Sequence, residues 1–481
     1  TFIADFGADN LPYVLLVAGL LIGVLMTGYT WVVSRLPSKG ALAITQLGMV
    51  GVLIGFWFLF QTGAAWVSAA FYLMGLILGI LLISQFWTVA NLVYDARQAK
   101  RVFGFVGAGA PLGGMAGSFI TQSLTDNIGT TNLLLVSSGM LLLSALIVWT
   151  ILRRSHVDPS AAVPAVDEEK GVGFTEALAL LRGSKHPKII PLVISFAAVG
   201  AATIEQQLNM AAESAKGANA TDSITIFLAQ VQLWTSTIGF IIQIWLTSKI
   251  HRYLGIGFAL MILPRSLGFS AVVMLLNGAL WAPALARVLD QSLRYTVDKT
   301  TREILFLPLP GDLKVKAKSF VDVTVDRMAK ALGGLLLLVL VQPWGLNLNW
   351  QQLSYASLTM VALWIFMALR ARRGYIAAFR DSIERRDMRP AEVRLSGADL
   401  STVGALVQEL SSTQPARVLY AIDMLESLDK GNLVTPLLLY HESPEVRERT
   451  LRAISESPSE MAGQWVPQVR RALGDSHPGV R

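Results

Sequence analysis

Arg287, Asp290, Gln291 and Arg294 stand at i, i+3, i+4 and i+7 within the largely apolar stretch 279–298, so on a helix the four side chains share one face. Two guanidinium groups in such a place could grip an anion, because the planar fork of arginine meets phosphate or carboxylate oxygens two at a time. The next apolar stretch places Asp322, Asp326 and Lys330 at successive i+4 steps. Two more ionisable residues stand alone. Glu205, followed by Gln206 and Gln207, lies two-thirds along 188–212. Arg265 follows Pro264 in the middle of 253–277, where a kink would free backbone carbonyls. In the first half of the chain Gln85, Asn91 and Asp95 run along the end of the third apolar stretch. A charge deep in a membrane is costly unless it is paired or wet, so each of these residues is a functional candidate. One reading is a central aqueous cavity of positive potential, set by Arg265, Arg287, Arg294 and Lys330, that takes an anionic solute. The other is that Arg287–Asp290 and Asp326–Lys330 are pairs within their own helices that hold the bundle together. Asp298, Lys299, Arg302 and Glu303 fall at the cytoplasmic end of a stretch, where they would either form gate salt bridges or touch substrate.

These residues need spanning helices to carry them. The chain has 481 residues, 53% of them hydrophobic and 15% charged, with a mean hydropathy of +0.52. A soluble protein of this size needs far more charge to cover its surface. A span takes about 20 apolar residues. Such spans read at 11–33, 41–61, 67–94, 102–124, 131–152, 188–212, 222–247, 253–277, 279–298, 317–342 and 350–370. The basic residues fill alternate gaps: Arg35 and Lys39; Arg97, Lys100 and Arg101; Arg153 and Arg154; Lys249 and Arg252; Lys299, Arg302 and Lys314; then Arg370, Arg372 and Arg373. The positive-inside rule makes those gaps and the tail cytoplasmic. The formal net charge of +7 is therefore a topology signal, not a nucleic-acid footprint. With no cysteine, disulfides, thiolate metal sites and cysteine nucleophiles are excluded. The five histidines have no metal-ligand spacing, and no Ser/His/Asp set or phosphate loop is visible, so neither a cofactor nor enzymatic chemistry is expected.

The charged stretch 153–187 reads as a linker between an N-terminal half (1–152) and a C-terminal half (188–370). Five spans before it and six after imply a two-fold architecture whose first helix precedes Thr1. Small residues in each half, Gly113-Gly114-Met115-Ala116-Gly117 and Ala331-Leu332-Gly333-Gly334, suit close helix packing. Gly107-Ala108-Gly109 follows no strand and reads the same way rather than as a dinucleotide turn. Residues 371–390 form a basic amphipathic connector that Pro390 ends. From 391 to 481 short amphipathic helices are expected. Ser443-Pro444-Glu445-Val446-Arg447 returns 34 residues later as His477-Pro478-Gly479-Val480-Arg481, a period within the range of helical solenoids. Because the chain stops at the first turn of a new repeat, a further domain or a protein partner is expected beyond it. Removal of the tail from about residue 388 is expected to leave the bundle intact. The fold class is thus all-α: a polytopic helical membrane protein plus a cytosolic α-solenoid.

Three motifs then carry a resemblance. Arg294-Tyr295-Thr296-Val297-Asp298-Lys299-Thr300-Thr301-Arg302-Glu303, Leu307-Pro308-Leu309 and Lys314-Val315-Lys316-Ala317-Lys318, succeeded by Arg327-Met328-Ala329-Lys330 with Gly333-Gly334, resemble the ATP/ADP translocase family. Asn91 and Ala99-Lys100-Arg101 resemble another segment of it, and the likeness covers roughly residues 1–370. Arg97-Gln98 departs from the family, which carries an acidic residue there. The resemblance implies a major-facilitator-type carrier in a bacterial inner membrane, exchanging nucleotides by alternating access, with Glu205, Lys330 and Arg294 at family positions. The Pro-turn repeats resemble a HEAT-type extension found in bacterial members. Two other expectations stay open on the residues alone: transport of a lipid or amphipathic anion on the same fold, and a membrane sensor or scaffold acting through the tail.

Overall fold

In lipid a backbone must satisfy its own hydrogen bonds, so apolar runs of span length become helices. The computed structural model describes residues 1–18, 38–94, 106–154, 185–214, 220–250, 255–306, 318, 320–385, 400–428, 430–456 and 465–481, and among them there is no strand. The N-terminal half holds α1 (Phe2–Phe6), α2 (Ala8–Ala18), α3 (Ser38–Phe60) and α4 (Trp66–Val93). It ends in a helical stretch, Gly109–Arg154, of 46 residues. At ~1.5 Å per residue that is more than twice the ~30 Å of hydrocarbon. It is two helices, α5 (109–128) and α6 (130–154), joined at Gly129, where φ is 75° and ψ 159°. Only glycine adopts that conformation readily.

The C-terminal half holds α7 (Lys185–Ser214), α8 (Ala220–Ile241), α9 (Gly255–Leu276), α10 (Trp281–Leu293), α11 (Asp326–Val341) and α12 (Leu353–Arg385). Six described helices are long and apolar enough to cross a membrane, which makes the chain a multi-pass membrane protein. Three π turns extend the helices: Ile242–Leu246 after α8, Arg294–Asp298 after α10 and Phe320–Val325 before α11. Each π turn widens the helix locally and rotates the next turns about its axis, and such turns concentrate at functional positions. The bundle has a basic end, flanked by Lys and Arg, and an opposite end. Residues 155–184 of the charged linker lie outside the described residues.

Two packings position the site. Within the C-terminal half α7 is central. Its Ile190, Val193, Ile194 and Ala197 are buried among α9, α10 and α12, with Trp364 of α12 fully enclosed. Between the halves, α5 lies so close to α8 that a methyl group added to Gly114 would overlap the Ser236 hydroxyl. Gly334 of α11 likewise admits Leu16 of α2, and Gly333 admits Val199 and Ala202 of α7. Gly114, Gly333 and Gly334 thus sit at helix crossings, whereas a methyl at Gly113 or Gly117 would meet nothing within 4 Å.

The tail holds α13 (Leu400–Glu409), α14 (Pro415–Ser427), α15 (Pro444–Ser455) and α16 (Val466–Ala472). Val446 and Val480, at equivalent places in the returning motif, are both buried. Arg447 grips Asp475 through two bonds of 2.7 and 2.8 Å and donates to the carbonyls of His441 and Glu442. The Arg447 bonds hold the Asp475 carboxyl below the usual carboxylate range, with help from the His477 backbone N–H. Arg449 ties α15 to Asp423 and Glu426 of α14. The tail packs against the bundle. Leu406, Val418, Ile422 and Leu425 belong to one continuous core with Ala371 and Tyr375 of α12 and with Ile304 and Phe320.

Candidate functional site

The ionisable residues of the spans fall into three environments. In the first, α10 carries a ladder of alternating charge. Asp290 is fully buried, Arg294 is 8% exposed, and the two form a close ion pair. A third partner closes the site, since Arg294 Nη1 donates to the Ala197 carbonyl of α7 at 2.7 Å. One π turn further on, Arg302 meets Asp298 at 2.5 Å, and Glu303 meets Lys318 at 2.7 Å at the basic end. Where the sequence suggested Arg294 as a source of net positive potential, the structure pairs it with Asp290. Its charge is neutralised inside the C-terminal half, where leaving either member alone would strand a buried charge.

The second environment faces the other half of the molecule. Arg287 does not pair with Asp290, three residues on, but reaches across to Glu205 of α7 at 3.5 Å. That bond is long, and the Glu205 side chain is 43% exposed although it lies well within a spanning helix. Tyr72 of α4 lies within electrostatic range of both members, so the pair looks toward the N-terminal half. On α11, Lys330 pairs with Asp326 at 2.7 Å but remains 65% exposed. Its direction is decided by the helical repeat. Leu332, Leu335, Leu336 and Val339 form the exposed apolar stripe of α11. Lys330 falls on the far side from that stripe, one turn from Gly334, which meets Leu16. A half-exposed carboxylate and a mostly exposed ammonium thus lie within spanning helices, where such groups need water or a counter-charge.

The third environment is the lipid face. Arg265 is exposed, and it shares a stripe of α9 with Phe258, Phe269, Val272 and Leu276, all exposed. The structure therefore does not bring Arg265 to Arg287 and Lys330. Gln85 is also elsewhere. It is 1% exposed and donates to Thr45 at 2.9 Å, tying α4 to α3. Gln206 and Gln207 are structural neighbours of Glu205, and Gln207 donates to the Trp350 carbonyl and to Ser354. Asp95 and the side chains of Asn91 and Asp322 lie outside the described residues.

Sequence reading missed the closure of the opposite end. Residues 2–10 lie across it as a clasp held by both halves. On one side Phe2 packs at a tilt against Tyr72 with centroids 5.4 Å apart, and Ser68 donates to Asp5. On the other, the Ala8 N–H donates to Glu213 at 2.7 Å, Gln206 donates to the Ala8 carbonyl at 2.8 Å, and Gln342 donates to the Asp9 carbonyl at 2.6 Å. Thr130 adds two bonds to Asp222, of 2.9 and 2.6 Å, between α6 and α8. Among the described residues these polar ties between halves all lie at the opposite end. A polar cavity of about 570 Å³ opens beside the clasp, lined by Asp5, Ser68, Thr130, Asn132 and Asp222 among others. Its two carboxylates make it a poor place for an anion.

A profile of the family described as TLC ATP/ADP transporter matches residues 255–375, the stretch that carries Arg287, Arg294, Asp326 and Lys330. ADP,ATP carrier protein 1 of Chlamydia pneumoniae is 22% identical over 354 residues, 65% of this chain and 68% of that protein. ADP,ATP carrier protein 1 of Rickettsia prowazekii (strain Madrid E) is 24% identical over 359 residues, 66% of this chain and 71% of that protein. The matches thus span about two thirds of these relatives. In three dimensions the crystal structure of a mutant peptide transporter POT gives a TM-score of 0.52 at 14% identity, covering 78% of this chain and 87% of that one. The chain therefore has the fold of a membrane transporter, and its curated relatives are carriers, not enzymes.

Proposed function

We propose that the protein is a secondary carrier that moves a nucleotide or a closely related phosphorylated anion across a bacterial inner membrane by alternating access. The observation that carries this reading is the exposure of Lys330 and of Glu205, paired with Arg287, within spanning helices, in a sequence similar to ADP,ATP carriers. Lys330 supplies a compact positive charge and Arg287 a bidentate fork for phosphate oxygens. Asp326 and Glu205 pair with those cations. An arriving phosphate displaces the carboxylates, and their release is the signal by which occupancy reaches the helices that rock. Asp290–Arg294 acts as a strut inside α10 and takes no part in binding. Asp298–Arg302 and Glu303–Lys318 guard the basic end. The basic end and the tail are cytoplasmic by the positive-inside rule. With the clasp holding the opposite end, this conformation is open toward the cytoplasm. The tail is a HEAT-type array that docks on the moving half.

The test is uptake and counterflow of labelled ATP, ADP and AMP in proteoliposomes containing the full chain. Lys330→Ala and Arg287→Ala are expected to reduce uptake to about a tenth of wild type or less, the ~1.4 kcal/mol loss of one charged contact to phosphate being a factor of ten. Robust folding with no flux of any nucleotide would overturn the reading, and transfer of labelled lipid in its place would redirect it to an amphipathic substrate.

A further inference from the structure

Arg265 is the tenth residue of the 21-residue span Ile256–Leu276, so it stands near mid-depth. It is exposed, and its neighbours on the stripe are Phe258, Phe269, Val272 and Leu276, with exposures from 42% to 83%. It has neither a hydrogen bond nor an ion pair among the described residues. The packing of α9 points this stripe away from the site. The buried face of α9, with Leu260, Leu263 and Leu267, packs on α10 and α12. Gly268 meets Val361 of α12, and Leu267 meets Gly200 of α7. The stripe on the other side faces lipid.

A guanidinium there lacks what the other intramembrane cations have, since Arg287, Arg294 and Lys330 each have a carboxylate partner. Arginine does not lose its charge in a protein, and from mid-depth it stands ~15 Å from either edge of a ~30 Å hydrocarbon core, beyond snorkelling reach of the headgroups. A second copy of the same chain offers no remedy. The described carboxylates at comparable depth, Glu205, Asp290 and Asp326, are turned inward or buried, and two Arg265 groups brought face to face would repel. Charge complementarity leaves a different occupant. We propose that the stripe Phe258–Arg265–Phe269–Val272–Leu276 is a docking face for a membrane-spanning helix of another protein that carries a single Asp or Glu at mid-bilayer. The apolar residues on either side of Arg265 give that helix a surface to lie along, and the ion pair sets its depth and rotation.

The test uses the full-length protein in phosphatidylcholine vesicles and a fluorescent Leu/Ala spanning peptide with one central Glu, or Leu in its place. Energy transfer from a label on the tail reads association. The Glu peptide is expected to associate at least tenfold more strongly than the Leu peptide. Arg265→Leu should abolish the difference, and Arg265→Lys should retain most of it. A photoreactive residue at Phe269 in native membranes should cross-link a helix whose mapped sequence has a central acid, and only when Arg265 is present. Equal association of the two peptides would overturn the proposal. So would an Arg265-dependent response to phosphatidylglycerol in place of the peptide, or Arg265-dependent dimerisation of this chain. A fourth overturning outcome is loss of nucleotide uptake in Arg265→Leu without change in peptide association, which would return the residue to the substrate path and leave the carrier reading standing.

Discussion

At the scale of single residues, identity and depth are less informative than direction. Four cations of similar depth have four fates. Arg294 is sealed with Asp290; Arg287 crosses to Glu205; Lys330 stays exposed beside Asp326; Arg265 faces outward. The sealed pair and the crossing pair should respond oppositely to substitution. Asp290→Asn leaves a buried guanidinium without its counter-ion, a loss of ~3–5 kcal/mol for broken buried pairs. It should sharply lower the thermal midpoint and the yield of folded protein in detergent. Glu205→Gln removes a long, half-exposed bond, so its midpoint should stay close to wild type while nucleotide flux changes. If Glu205→Gln instead prevents folding, Glu205 is a structural residue and its place in the site is lost. The candidates were legible in the sequence because charge is conspicuous in apolar helices. Their partners were not. The i+3 spacing of Arg287 and Asp290 offers a pair that the fold does not make, because α7 brings Glu205 closer.

At the scale of elements, the clasp ties the two halves together at the opposite end. The clasp depends on one conformation. Gly7 has φ 81° and ψ 155°, a region that only glycine occupies readily, at a cost of ~1–3 kcal/mol for other residues. A Cβ at Gly7 would stand 3.3 Å from Glu213 Oε1, the carboxylate that receives the Ala8 N–H. Gly7→Ala should therefore loosen the opposite end. Met210 of α7 is half-buried against the cluster of Phe2, Ile3 and Leu11, and because the chain has no native cysteine, a cysteine placed there reports without background. Its labelling by a membrane-impermeant maleimide should rise several-fold in Gly7→Ala. Unchanged labelling would mean that the clasp does not control access. Sequence periodicity found the long helices and missed this short one, since a few residues between Thr1 and Asn10 carry too little pattern to show which half they join. The break at Gly129 was approached more closely: the expected gap at 125–130 contains it, and its sharpness comes from a positive φ.

At the scale of the whole molecule, the tail and the second half share one core. Tyr375 of α12 is 1% exposed and belongs to the core that α12 shares with the first tail helices. Truncation near residue 388 would uncover it together with Ala371. Tyr375→Ala should cost ~3–5 kcal/mol by the measure of large-to-small changes at buried aromatic sites. It should be seen as faster proteolysis of the tail and a lower thermal midpoint of the full chain. A midpoint equal to wild type would restore the picture of two separable parts. A shared core also means that whatever binds the tail is mechanically connected to α12, and through α12 to α7 and Glu205.

Composition and period by themselves determined that this chain is helical and crosses a membrane many times, because lipid permits few alternatives for long apolar runs. They also located the basic end, because short charged loops cannot hide. Tertiary structure alone decided which charges meet, which way Arg265 and Lys330 face, and that residues 2–10 close one end. Each of these depends on the rotation of one helix against another, a quantity set by packing at Gly114, Gly333 and Gly334 and by π turns that no local spacing records.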